Sequence, residues 1–209
     1  RSADTQGTAW YVWLTSEEVS NVASKDRYTK LIWEDNFDGS GKVDTNKWQY
    51  EVRNQWYNNE KQATTDRLDN VKVENGVLKI TAKKESYGGK EYTSGRIRTF
   101  TKLDFTYGRV DIRAKMPSKG GTWPALWMLG SNYQSIDWPA CGEADILEHT
   151  GNNVNRVQAT VHYPQRHAGN GDTAITNDYS DVTTNFHVYS VVWTPQALTC
   201  YVDDKPCLL

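Results

Sequence analysis

Residues 70–83 read NVKVENGVLKITAK, two short alternating arms joined by the turn Glu74-Asn75-Gly76. In each arm aliphatic residues alternate with polar ones, the period of a β-strand with one buried face. An Asn-Gly pair between two such arms is a strong signal of a hairpin. The stretch therefore predicts two paired antiparallel strands.

The same alternation continues on both sides of this hairpin. In Arg109–Met116 it predicts that Val110 and Ile112 point inward and that Arg109 and Asp111 point outward. Further strands are predicted over residues 157–162, 186–193 and 198–202, and glycine-rich turns separate them. Many short strands with such turns are typical of an all-β fold, either a sandwich or a barrel.

The first thirty residues differ in character and are predicted to be an N-terminal extension, with the main domain over residues 31–209. Within the extension, Ala9–Leu14 is aromatic and prone to form a strand, so we expect it to pair with the sandwich. A short helix is expected over residues 16–23. No signal peptide is recognisable at the start of the chain.

Composition excludes several classes of protein. The 209 residues carry 24 basic and 26 acidic side chains, for a net charge of −2, which excludes a generally basic protein that coats nucleic acid. Mean hydropathy is −0.75, and no apolar run approaches the roughly 18 residues of a spanning helix, so no membrane span is predicted. Aromatic residues make up 12% of the chain, which favours a ligand with flat, stackable faces such as a sugar.

The three cysteines give no zinc-binding spacing. Cys200 and Cys207 flank the turn Asp203-Asp204 and are predicted to lie opposite each other on a hairpin. A bridge between them is left open, and Cys141 is then unpaired.

The segment Cys141–His149 reads CGEADILEH and carries three carboxylates, Glu143, Asp145 and Glu148. A regular strand would turn Glu148 away from the other two, whereas one bulged residue between Asp145 and Glu148 puts all three on one face. Carboxylates held together raise one another's pKa, which suits two-carboxylate catalysis. A solvated acidic strand, or a metal site with His149 or His162, remains an alternative.

Tryptophans are concentrated just before these carboxylates. Trp123, Trp127 and Trp138 fall within twenty residues upstream, in WPALWML and in WPACGEADILEH. Aromatic rings can form the floor of a carbohydrate cleft whose carboxylates cut the chain. Of the three rings, Trp127 is expected to belong to the core if any does.

Both tryptophan-containing motifs resemble glycoside hydrolase family 16, and within it the laminarinase-like endo-β-1,3-glucanases. The segments Trp33–Asp38 and Asn58–Glu60 match as well, and the resemblance covers roughly residues 31–205. It implies a β-jelly-roll sandwich of two antiparallel sheets, concanavalin-like, with a cleft on the concave sheet.

The resemblance also implies a role for individual residues. Glu143 matches the nucleophile, Glu148 the acid/base and Asp145 the assisting carboxylate. The positions at which the family contacts sugar are Asn59, Arg96, Trp123, Trp127 and His162. Catalysis needs no cofactor. Many family members bind a structural calcium ion, for which Glu34 and the Gly76 carbonyl are candidate ligands here, although the usual late aspartate is absent.

The predicted function is retaining, endo-acting cleavage of β-1,3-glucan, extended to mixed-linkage β-1,3-1,4-glucan. A non-catalytic glucan-binding module and a galactan hydrolase of the agarase type are the alternatives. The expected partner is a polysaccharide, the chain is expected to be a monomer, and the substrate class implies a secreted, cell-surface or periplasmic location. Family chains continue past the Tyr201–Asp203 strand, so C-terminal strands are expected to be missing and the sandwich to be open near Cys207.

Overall fold

A computed structural model of the chain describes residues 10–14, 28–176 and 178–207. These residues fall into two compact units, one of residues 35–104 and one of residues 10–34 and 105–209. Among them we find one short 3-10 helix, Ala168–Asn170, and no helix with the length and apolar character needed to cross a bilayer. The expected helix over residues 16–23 lies outside the described residues.

The larger unit holds two antiparallel sheets. The first has six strands in the order β17-β16-β15-β10-β1-β2, and the second has four in the order β11-β12-β13-β14. Their bounds are β1 Trp10–Leu14, β2 Lys30–Asp35, β10 Gly108–Ala114, β11 Ala125–Leu129, β12 Glu143–Thr150, β13 Asn153–His162, β14 Asp172–Thr176, β15 His187–Trp193, β16 Leu198–Val202 and β17 Lys205–Cys207.

The apolar core of the larger unit lies between these two sheets, where β12 contacts β15 and β14 contacts β17. Ile112, Leu147, Val191 and Val202 are all buried there. The predicted inward positions of β10 are therefore confirmed. Residues 10–14 also form the expected strand, which pairs with β10 from Trp10↔Ile112 to Trp13↔Arg109.

One prediction for β10 is wrong. Arg109 and Asp111, expected to face solvent, are only 1% and 4% exposed. The Arg109 guanidinium donates to Asp111 Oδ1 at 2.7 Å and also bonds Asp204 in the turn between β16 and β17. Burial of these charges is tolerated because they are paired and hydrogen-bonded.

The hairpin of β16 and β17 places Cys200 directly opposite Cys207, as expected. Both thiols are free, and Cys200 is buried. Nearby, a groove of about 500 Å³ lies between residues of β14 and β17 and includes Tyr179 and Cys207 in its lining. The expectation that C-terminal strands are missing and that the sandwich is open near Cys207 stays a prediction.

The smaller unit consists of three small sheets: β3 with β9, β4-β8-β7, and β5 with β6. Their bounds are β3 Gln49–Tyr50, β4 Gln62–Thr64, β5 Val71–Glu74, β6 Val77–Ile80, β7 Lys83–Tyr87, β8 Lys90–Ser94 and β9 Ile97–Arg98. The predicted hairpin of residues 70–83 is confirmed as β5 and β6. Val71 and Val73 are buried, as is Trp48, which stacks on Phe37 and donates to Asp35 Oδ2 at 2.7 Å.

Candidate active site

Strand β12 carries the three carboxylates, and its pairing is irregular where the sequence predicts a bulge. Asp145 lies opposite Thr160 of β13, and Glu148 lies opposite Gln158. The two positions are three residues apart on β12 but only two residues apart on β13, so β12 carries one extra residue. The pairing with β11 shifts at the same place, between Leu126 and Trp127. One extra residue in the strand restores Glu148 to the face of Glu143 and Asp145. The predicted bulge is confirmed.

Asp145 is the middle carboxylate and is only 5% exposed. Burial, followed by the charges of Glu143 and Glu148, raises its pKa to about 9. Asp145 is therefore protonated at neutral pH, and its hydrogen bond with Glu143 favours this protonated form. The proton reduces three neighbouring negative charges to two.

His162 lies on β13 directly opposite Glu143, and its Nε2 is 3.1 Å from Asp145 Oδ2. A neutral imidazole with its proton on Nε2 can donate to this oxygen. Gly171 leaves room for the ring, because a Cβ there would approach His162 Nδ1 to 2.7 Å. The histidine thus holds the orientation of Asp145.

The carboxylate of Glu148 accepts one hydrogen bond at Oε1 and two at Oε2, where the longer one comes from Thr160 Oγ1 at 3.5 Å. Trp123 Nε1 donates to Oε1 and Gln158 Nε2 donates to Oε2, both at 3.0 Å. Beside them is a cavity of about 190 Å³, whose lining includes Arg156 and His149. Glu148 is partly exposed, so its carboxylate can be reached by a ligand or by water.

The tryptophans upstream of β12 differ in exposure. Trp123 is 51% exposed and Trp138 is 43% exposed, with the Trp138 ring 5.8 Å from that of His162. Trp127 is half-buried and lies opposite Asp145, on the carboxylate face. The register of β11 turns Trp127 towards the carboxylates, so the structure does not single it out as the core residue among the three rings. As sugar contacts, all three remain predictions.

Asn59 and Arg96 belong to the smaller unit. Asn59 is exposed in a turn with φ of 57°, a left-handed backbone that asparagine tolerates. Arg96 Nε pairs with Glu51 Oε2 at 2.6 Å, and its guanidinium lies 4.5 Å from the Trp56 ring centre. Both remain predictions as sugar contacts.

Among the described residues, Glu143, Asp145 and His162 form the one group of three metal-ligating side chains whose atoms converge, within 4.8 Å of one another. Within this group Asp145 is hydrogen-bonded to both of the others, to His162 through Oδ2 and to Glu143. Glu34 in β2 is in no such group, and Gly76 lies in the turn between β5 and β6 in the other unit. Calcium binding by these two residues stays a prediction.

Three residues of this site could not be inferred from the sequence alone. Gln158 and Thr160 face the carboxylates only because of the register between β12 and β13. Arg156, two residues before Gln158, donates a hydrogen bond to its side-chain carbonyl. Alternation along β13 places 158, 160 and 162 on one face, but no local signal says which strand they oppose. The three carboxylates, in contrast, lie on a single strand and are visible in one motif.

Comparison with known proteins gives consistent matches. The family model described as "Glycosyl hydrolases family 16" matches residues 58–208. A β-glucanase of Rhodothermus marinus is 43% identical over 89% of this chain and 67% of its own length. Glucan endo-1,3-beta-glucosidase A1 of Niallia circulans is 38% identical over 84% of this chain, which spans only 28% of that relative. The X-ray structure of the Rhodothermus marinus laminarinase superposes with a TM-score of 0.81 at 44% identity, covering 85% of this chain and 72% of that one.

Proposed function

The chain belongs to glycosyl hydrolases family 16, and we propose that it is a retaining endo-β-1,3-glucanase, active also on mixed-linkage β-1,3-1,4-glucan. The observation that carries the proposal is that buried Asp145 senses the charges of both Glu143 and Glu148, so the three carboxyl groups form one electrostatic cluster. Retaining glycosidases need two such carboxyl groups close together. The glucanase and laminarinase relatives support the same substrate class.

The predicted family, enzyme class and jelly-roll sandwich are confirmed by these matches. The binding-module alternative is disfavoured, because a protein that only binds glucan has no need of both Glu143 and Glu148. The galactan-hydrolase alternative is disfavoured by the glucan-cleaving names of these relatives.

In the proposed mechanism Glu143 attacks the anomeric carbon and displaces the leaving sugar, whose oxygen takes the proton of Glu148. A covalent glycosyl–enzyme ester results. Glu148, now ionised, removes a proton from water, and that water releases the sugar with its configuration retained. Protonated Asp145 hydrogen-bonds Glu143 and limits the repulsion between the two working carboxylates.

The test combines product stereochemistry with one variant. Proton NMR of fresh product from laminarin should show the β-anomer first, and initial α-anomer would overturn the retaining mechanism. Glu143→Gln should abolish turnover with an unchanged thermal transition. Glu74→Gln, at the end of β5 in the smaller unit, should leave activity intact. Reducing-sugar release from agarose but not from laminarin or lichenan would favour the galactan hydrolase instead.

We also propose that the protein acts outside the cytoplasm, because a polysaccharide cannot cross a membrane to reach it. That it acts as a monomer stays a prediction, which size-exclusion chromatography with light scattering would check. The structural calcium ion remains part of this proposal. Calcium added after chelation should raise the melting temperature, and Glu34→Gln should remove the effect.

A further inference from the structure

Gln158 on β13 bonds three different side chains, and one of them is Glu148. Its Nε2 donates to Glu148 Oε2 at 3.0 Å and to Thr160 Oγ1 at 3.1 Å. Its Oε1 accepts from Arg156 Nη2. Neither the proposed mechanism nor the family match gives this residue a role.

The orientation of the Gln158 amide is fixed by chemistry. A guanidinium can only donate, so the end of the amide that faces Arg156 must be the carbonyl. The NH₂ end therefore faces Glu148, and it can only donate. The chain of donors runs from Arg156 through Gln158 to the Glu148 carboxylate, and the positive charge of Arg156 polarises it in that direction.

The hydrogen bond donated by Gln158 affects which protonation state of Glu148 is favoured. A donated N–H stabilises an ionised carboxylate more than a protonated one. The Trp123 indole does the same at Oε1. Among the described residues of the larger unit, the charged and titratable side chains near Glu148 are those of Glu143, Asp145, His149, Arg156 and His162. Of these, His149 and Arg156 line the same cavity as Glu148. β11 contributes Ala125 opposite Glu148, which carries no charge.

We propose that Gln158, held by Arg156, is a positioning residue for the acid/base Glu148. It fixes the plane of the carboxylate and favours the ionised form, which the second step needs in order to activate water. This inference rests on the proposed function, because it assigns Gln158 to the acid/base of that same site.

The test is the pH dependence of kcat/KM on laminarin. Gln158→Met keeps the length of the side chain but removes the donor, so Glu148 should hold its proton to higher pH and the alkaline limb should move up by about one pH unit. Arg156→Met should move the limb in the same direction by less. Gln196→Met, in the exposed turn before β16, is the matched control and should leave the limb where it is.

An unmoved limb, or a shift to lower pH, in folded Gln158→Met overturns the inference, even if activity falls. Should Gln158→Met fail to fold, the same measurement is made on Arg156→Met, and an unmoved alkaline limb in that variant overturns the inference. If the wild-type protein releases no sugar, the proposed function fails, and the positioning is judged from the titration of ¹³C-labelled glutamate carboxyl groups. The resonance that is lost in Glu148→Gln should then titrate at higher pH in Gln158→Met, and an unchanged titration refutes the inference.

Discussion

Asp145→Asn should make the stability of the folded protein less dependent on pH. In the folded state Asp145 has a pKa of about 9, because burial and the charges of Glu143 and Glu148 oppose its ionisation. In an unfolded chain an aspartate has a pKa near 3.9. Between these two values the folded state holds a proton that the unfolded state has released. The stabilising effect of that proton is complete below about pH 4 and is lost as pH rises towards 9.

The size of the effect follows from proton linkage. One full proton difference changes the free energy of unfolding by about 1.4 kcal/mol per pH unit. Asp145 shares its titration with two neighbouring carboxylates, so we expect about half to all of this slope. Between pH 5 and pH 7 the wild-type protein should then lose roughly 1.4–2.8 kcal/mol relative to Asp145→Asn. That corresponds to about 3–10 °C in melting temperature for a chain of this size.

The assay is thermal unfolding at pH 5, 6 and 7 of wild type, Asp145→Asn and the exposed control Asp38→Asn. Asparagine can donate to Glu143 and accept from His162, so the variant should fold. The melting temperature of Asp145→Asn minus that of wild type should rise steadily with pH, while the difference for Asp38→Asn stays flat. A constant difference for Asp145→Asn would refute the assignment of the proton.

Two further variants test contacts on either side of the sandwich. Trp123→Phe keeps a stacking ring but removes the N–H that donates to Glu148, so kcat on laminarin should fall several-fold. Because the side chain is half-exposed, the melting temperature of the variant should stay within about 2 °C of the wild-type value. Equal activity of Trp123→Phe and wild type would contradict this role for the indole. Asp111→Ala leaves the buried Arg109 charge with fewer partners and should lower the free energy of unfolding by about 3 kcal/mol in urea denaturation, and a loss below 1 kcal/mol would count against it.

Sequence reasoning succeeded where the signal is contained in one segment. The hairpin of residues 70–83 has both arms and its turn within fourteen residues. The bulge in β12 could be inferred because three carboxylates at spacing i, i+2 and i+5 share a face only if one residue is extra. Both inferences depend on backbone periodicity, which neighbouring residues determine.

Sequence reasoning failed where the burial or orientation of a side chain depends on a residue that is distant in the sequence. Alternation in β10 separates two faces correctly, but it cannot say that both faces are covered. Arg109 is buried because Asp204, 95 residues away, supplies a carboxylate, and Trp127 faces Asp145 only because of the register between β11 and β12. The donors to Glu148 were missed for the same reason.

The bulge also explains how one strand can hold three carboxylates together. Ile146 and Leu147 are 2% and 0% exposed, so the irregular step buries two consecutive aliphatic side chains. Burying each contributes about 1.5–3 kcal/mol, which offsets the cost of crowding like charges on the other face. The proton on Asp145 lowers that cost further. Core packing and the proton on Asp145 together therefore allow one strand to carry Glu143 and Glu148 on the same face, as two-carboxylate chemistry requires.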